Sequence, residues 1–121
     1  MSYDPTNIFA RILRGEIPCK KVFEDDHVLA FHDINPQTPT HILVIPKGAY
    51  VSFDDFSTKA SAEEIAAFVR ATGQIAREAG LAAPGYRVLS NIGRDGHQEV
   101  PHLHFHIFGG RPLGRMVPNG D

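Results

Sequence analysis

The chain has 121 residues, 42% hydrophobic and 21% charged, the make-up of one soluble globular domain over residues 1–121. A formal net charge of −2 gives it no general attraction to nucleic-acid backbone or anionic membrane, so neither is expected as a partner. Cys19 is the only cysteine, which excludes an intramolecular disulfide and a cysteine-rich zinc knuckle.

The opening, MSYDPTNIFARILRG, has no long apolar core and no small-residue cleavage site, and no stretch approaches the roughly 18 apolar residues of a membrane span. A reducing cytoplasm is the expected compartment. Asn7 caps a predicted short helix from Ile8 to about Arg14, with Ile8, Phe9, Ile12 and Leu13 on its apolar face and Gly15 as its stop. Lys21 to Glu24 reads as a short strand. Asp25 and Asp26 turn the chain, and His27 to Ile34 reads as the hairpin partner. Pro36 and Pro39 exclude helix interior from the next segment. His41 to Pro46, rich in β-branched residues, reads as a central strand. Residues 47–60 read as irregular.

A long helix is predicted from about Ala62 to Ala79. Ser61 and Glu64 have capping-box spacing, Ile65, Phe68, Val69, Thr72, Ile75, Ala76 and Ala79 share one face, and Gly80 suits the stop. Tyr86 to Ile92 reads as a strand. A glycine-bearing loop, GRDGHQ, leads to a last strand from about His102 to Phe108. Five strands, two helices and short connections predict an α+β domain on an antiparallel sheet.

The last strand carries the chemistry. In PHLHFHIF, His102, His104 and His106 alternate with Leu103, Phe105 and Ile107. On a strand, alternate residues share a face, so the three imidazoles line one side and the apolar three belong to the core. Neighbouring histidines then sit about 6–7 Å apart, too far for one metal to collect all three from a regular strand. Two of them with His41 as a third ligand would suit zinc. A plainer alternative is a row of merely solvated or hydrogen-bonded rings. The third reading is nucleophilic catalysis, because a neutral imidazole is both nucleophile and proton carrier near neutral pH. The preceding GRDGHQEV loop offers backbone N–H groups beside glycines, a suitable cradle for phosphate.

PHLHFHIF resembles the His-φ-His-φ-His-φ-φ pattern of the histidine triad (HIT) superfamily of nucleotide hydrolases and transferases. NIFARILRGEIPCKKVFEDD, LAFHDINPQTPTHILVIPK, GYRVLSNIGRDGHQEV and GGRPLG agree with it in order and spacing, so the resemblance spans nearly the whole chain. It is similar above all to the Hint branch, the purine nucleoside phosphoramidases, in its bacterial form.

The resemblance implies a five-stranded antiparallel sheet with two helices. It implies a homodimer joined through the long helix and an edge strand into a ten-stranded sheet, with no cofactor and no metal. It implies cleavage of the P–N bond of a purine nucleoside 5′-phosphoramidate, an AMP or GMP derivative, through a covalent nucleotidyl-histidine. By the same resemblance His104 is the nucleophile and His106 contacts the phosphate and leaving group. His102 supplies a main-chain carbonyl to the nucleophile's other nitrogen, while its ring pairs with His41. Asp33 binds the ribose hydroxyls and Asn91 lies beside phosphate and ribose. Ile8, Phe9, Ile12, Ile17, Phe31, His32 and Ile34 form the base pocket. Gln98 and Glu99 belong to the phosphate-binding loop, and Lys47 approaches the leaving group.

Some positions depart from many members. His97 and Glu99 stand where glycine and serine are common, and a carboxylate at 99 repels phosphate unless it turns away. Pro101 replaces a common tyrosine, and the tail after GGRPLGRM lacks a tryptophan found near the site in some members. The sequence leaves two other functions open. One is a dinucleoside polyphosphate hydrolase of the same superfamily, in which proline also precedes the first histidine. The other is a non-catalytic nucleotide-binding regulatory protein.

Overall fold

The computed structural model describes residues 2–117. In chain order it contains α1 (Ile8–Leu13), β1 (Lys21–Glu24), β2 (Val28–His32), β3 (Thr40–Pro46), α2 (Phe53–Lys59), α3 (Ala62–Glu78), β4 (Arg87–Leu89) and β5 (Phe105–Gly109). The strands form one antiparallel sheet in the order β1-β2-β3-β5-β4, as expected for an α+β chain. No helix among the described residues is long and apolar enough to cross a membrane.

The caps follow the sequence. The Asn7 side chain accepts from the Ala10 N–H over 2.9 Å at the start of α1. At α3 the Ser61 hydroxyl accepts from the Glu64 amide, and the Glu64 carboxylate accepts from the Ser61 amide, which satisfies two orphan donors reciprocally. Gly80 follows α3 with φ +78°, a conformation that glycine adopts without strain.

Two layers of core result. Phe68, Ala71, Ile75 and Ala76 of α3 pack on Val28, Ala30, Ile42, Val44 and Ile107. The opposite face of the sheet carries Leu29, Phe31, Leu43 and Ile45, covered by Phe9 of α1. With both faces covered, β3 is buried almost end to end.

The structure departs from the sequence reading at four places. A third helix, α2, lies in the stretch read as irregular; Ser52 caps it, Asp54 and Asp55 complement its first turn, and Phe56 anchors it in the core. Seven residues are less than two turns, too short for a helical period to register. On α3, Ile65 and Val69 stay at the surface, 36% and 58% exposed, although they share the predicted apolar face. β4 is only Arg87–Leu89, not the full Tyr86 to Ile92.

β5 begins at Phe105, three residues after His102, and runs to Gly109. The cause is Pro46. The β3–β5 register, in which Val44 faces Phe105, would set Pro46 against Leu103, and proline has no N–H for the ladder. The Leu103 amide donates instead to the Tyr50 carbonyl over 2.8 Å, and the His104 carbonyl accepts from the Ser90 hydroxyl over 2.8 Å. The three histidines still share the Phe9 side of the sheet, but only His106 lies in a strand.

Candidate active site

The tautomers of four histidines follow from their partners. Nδ1 of His104 lies 2.8 Å from the His102 carbonyl, which can only accept, so Nδ1 carries the proton and Nε2 keeps its lone pair. No fully buried side-chain nitrogen or oxygen lacks a partner among the described residues. His104 Nε2 has none, so it reaches the surface of an otherwise buried ring. A bare, accessible imidazole nitrogen is a nucleophile.

His102 is fully buried. Its Nε2–H donates to the Pro46 carbonyl over 2.8 Å, which leaves Nδ1 to accept from the Tyr3 hydroxyl over 2.6 Å. Both ring nitrogens are therefore committed. The expected pairing of the His102 ring with His41 does not occur, because Tyr3 and Pro46 occupy it. Its main-chain carbonyl does hold His104, as the resemblance implied.

His41 pairs with His106 instead. The Gln37 amide donates to His41 Nδ1 over 3.2 Å, so His41 carries its proton on Nε2 and donates to His106 Nδ1 over 2.9 Å. The His106 Nε2–H is then an unspent donor, and the His104 and His106 rings sit 5.0 Å apart between centroids. The His104 and His106 rings are therefore neighbours. Asp33 adds charge: its Oδ2 lies 3.5 Å from His41 Nε2, while its Oδ1 accepts from the Asn35 amide.

Burial keeps this cluster neutral. It pushes the pKa of His102 down to about 4 against the pull of the Pro46 carbonyl. It pushes His106 down to about 4 as well, helped by the neighbouring His104 and His41 and opposed by Asp33. His104 is lowered by burial and held up in part by the His102 carbonyl, Asp33 and Glu99. His41 is lowered by burial and raised by Asp33. Neutral rings keep their lone pairs for attack and for the relay.

Two clefts flank the His41–His106 pair. The larger, about 840 Å³, is mainly apolar and is lined by Ile8, Ile12, Ile17, Phe31, His32, Ile34, Asp33 and His41 among others. Seven of those eight residues were expected to meet nucleotide, and His41 closes the cleft toward the histidine row. Phe9 is absent from its wall: it is buried, edge-on to His104 at 4.9 Å, and braces that ring. The smaller cleft, about 340 Å³, contains His106, Asn91, Arg87 and Arg111. Pro36 and Pro39 face the larger cleft and the intervening Gln37 and Thr38 the smaller, so one turn of chain divides them.

Other expected site residues have different partners. The Lys47 ammonium lies 2.7 Å from the Glu24 carboxylate and lines neither of these clefts. The Gln98 carboxamide ties its own loop together, donating to Val51 and Val100 carbonyls and accepting from the Gly93 amide. Glu99 is exposed with its carboxylate 3.0 Å from His97 Nε2. His97 has φ +59°, a left-handed backbone uncommon for a residue with a Cβ. The His97 and Gln98 amides donate back to Arg94 and Gly93, so the phosphate cradle expected from the loop cannot use them. Among the described bonds none engages the Glu99 amide.

Asp33, His41 and His106 each bring one ligating atom within 4.8 Å of the others. A metal held there would meet one triad histidine, His41 and a carboxylate, whereas the sequence suggested two triad histidines with His41. Tyr3 and Gln37 are the positioning residues that sequence reasoning missed. Tyr3 acts on a ring 99 positions away, and Gln37, four positions from His41, acts through its backbone amide, which no side-chain pattern marks.

Comparison with known proteins bears on this geometry. The HIT domain family profile matches residues 14–113. A 13.2 kDa HIT-like protein of Azospirillum brasilense is 69% identical over 119 residues, 98% of either chain. The purine nucleoside phosphoramidase of Escherichia coli K12 is 44% identical over 110 residues, 91% of this chain and 92% of that one. Among solved structures, a histidine triad protein from Clostridium difficile is 45% identical with a TM-score of 0.80, covering 91% of this chain and 95% of its own. A HIT family hydrolase from Clostridium thermocellum gives a TM-score of 0.85 at 33% identity, covering 93% and 97%. With a family profile over most of its length and such relatives, this chain belongs to the HIT domain family.

Proposed function

We propose that the protein hydrolyses the P–N bond of purine nucleoside 5′-phosphoramidates, with His104 as nucleophile. The observation that carries this reading is the lone pair on His104 Nε2 beside the spare Nε2–H of His106. The base enters the apolar cleft, and the ribose hydroxyls meet the Asp33 carboxylate at its inner end. A carboxylate accepts well from a vicinal diol. The phosphate then lies against His104 and His106, with the Glu99 amide as a further donor.

Attack forms a bond from Nε2 to phosphorus as the bond from phosphorus to the amine breaks. The amine leaves with a proton from solvent. The ring becomes positively charged, and the His102 carbonyl, holding Nδ1–H, stabilises that charge. His106 donates to a phosphoryl oxygen. Water then attacks phosphorus, the bond to Nε2 breaks, and nucleoside monophosphate departs while the water's proton passes to solvent. The 44% identical E. coli relative named a purine nucleoside phosphoramidase supports the same reaction class.

We also infer a homodimer through α3 and the β4 edge. Ile65 and Val69 on α3, Val88 on β4 and Tyr86 just before it are exposed apolar side chains, and β4 ends the sheet.

The experiment is AMP release from adenosine 5′-phosphoramidate by the wild type and His104→Ala, with diadenosine tetraphosphate as the competing substrate. Release from the amidate that disappears in the variant, with thermal stability retained, supports the reading. Near-normal turnover by His104→Ala overturns the mechanism. Faster turnover of diadenosine tetraphosphate assigns the chain to polyphosphate hydrolysis.

A further inference from the structure

The smaller cleft has a chemistry of its own. Arg87 reaches it from β4 and Arg111 from the segment after β5, and both residues line it together with Asn91 and His106. Each is oriented by main-chain carbonyls. Arg87 donates to the carbonyls of Gly114 (2.8 Å) and Arg115 (3.5 Å). Arg111 donates to those of Pro112 (2.9 Å) and Gln37 (3.3 Å).

A guanidinium has five N–H groups, so each retains spare donors after these bonds. Among the described residues no carboxylate pairs with either arginine, nor with Arg70, Arg77 or Arg115, whereas Arg11, Arg14 and Arg94 each have one. Two positive charges, fixed by backbone and without an acidic partner, share a small cleft with the histidine that carries the free donor. Arginine forks fit carboxylate and phosphate oxygens in particular.

The proposed reaction has a second group to place, beyond the larger cleft. The nucleotide fills the apolar one, and the departing group must lie on the other side of phosphorus from the attacking nitrogen. His106 lines the smaller cleft and bonds to His41, which lines the larger.

We propose that the cleft of Arg87, Asn91 and Arg111 holds the leaving group and selects amines that carry a carboxylate, as an amino acid joined to phosphorus through its nitrogen would. This rests on the phosphoramidase reading for the identity of the bond cleaved. The anion selectivity rests on the two arginines alone. A polyphosphate leaving group presents the same charge, so the test must separate carboxylate from phosphate.

Equilibrium binding to His104→Ala, which does not consume substrate under the proposed mechanism, reads the cleft without turnover. The ligands are the adenosine 5′-phosphoramidates of β-alanine and of its neutral amide, together with ADP and AMP. The β-alanine amidate is expected to bind roughly two- to fivefold tighter than the neutral amidate, the scale of a partly exposed charged pair. Adding Arg87→Gln and Arg111→Gln should abolish that ratio and leave the affinity of the neutral ligand unchanged. Equal affinities of acid and amide, or a ratio that survives both substitutions, overturn the proposal. An advantage of ADP over AMP without one for the carboxylate overturns the choice of amine and assigns the cleft to phosphate. A carboxylate advantage in a protein whose wild type releases no AMP supports the anion site and sinks the phosphoramidase reading, so the two failures are distinguishable.

Discussion

The Tyr3 hydroxyl donates to Nδ1 of His102 over 2.6 Å, across 99 positions of sequence. That bond fixes the ring whose main chain holds His104. With Nε2 tied to Pro46, His102 cannot rotate, and its carbonyl stays aimed at His104 Nδ1. Tyr3→Phe removes the donor and leaves a buried acceptor unpaired, at a cost of about 1–3 kcal/mol in stability. If His104 is the nucleophile, kcat should fall several-fold with little change in KM, because the hydroxyl holds the nucleophile and not the nucleotide. Denaturant unfolding and steady-state kinetics check both, and an unchanged midpoint would remove the role given to Tyr3.

Burial of His102 also predicts an acid limit. Its folded pKa is about 4 against an ordinary 6.5, so between these values the unfolded chain takes up a proton that the folded chain refuses. Stability contributed by the neutral ring is whole above 6.5 and is lost as pH falls toward 4, on the order of 3 kcal/mol from this group. His41, His104 and His106 are displaced in the same direction and add to the slope. Unfolding free energies at pH 7 and pH 4.5 should differ in that sense. A flat profile would mean the rings are already solvated. Turnover should persist below pH 6.5, since His104 keeps its lone pair until its lowered pKa is reached.

Much of this was legible beforehand. The caps of α1 and α3 are local, and Asn7 and Ser61 announced them because a cap needs only three or four neighbouring residues. His104 was legible because the alternation itself marks it. Partners were not. Whether the His102 ring meets His41 or Tyr3 depends on where β5 begins, and that depends on the missing N–H of Pro46 across the sheet. Val69 has the right helical spacing for the core yet stays exposed, because periodicity gives a face and not what covers it. Arg87 and Arg111 stand 24 positions apart in sequence, and only the fold puts them in one cleft.

Asp33 gives a prediction about substrate and not stability. Its Oδ1 is steadied by the Asn35 amide, and the carboxylate lines the apolar cleft next to His41. If it receives the ribose hydroxyls, Asp33→Ala should raise KM for adenosine 5′-phosphoramidate about ten- to a hundredfold, the worth of hydrogen bonds to a charged acceptor. The 2′-deoxy substrate should lose much less. Equal losses for both sugars would mean that Asp33 acts on His41 and not on the ribose.

Val69 tests the assembly. It stands 58% exposed on α3, with Ile65 on the same helix at 36%, while Val88 at 40% lies on β4 and Tyr86 at 38% just before it. β4 is the last strand of the sheet, so its outer edge keeps unpaired backbone groups. A two-fold axis beside that edge would let two copies pair their β4 strands and cover each other's α3, a self-complementary contact. Val69→Asp then sets two carboxylates in an apolar interface, and a buried unpaired charge costs several kcal/mol. Sedimentation equilibrium should give the wild type twice the 13.3 kDa of one chain and the variant a single chain's mass. A wild type that sediments at 13.3 kDa would refute the dimer. A dimeric variant would move the interface away from α3. The clefts are lined within one chain, so AMP binding should survive in a folded monomer, and a monomer that binds AMP but turns over slowly would show that pairing orders the β4 side, where Arg87 resides.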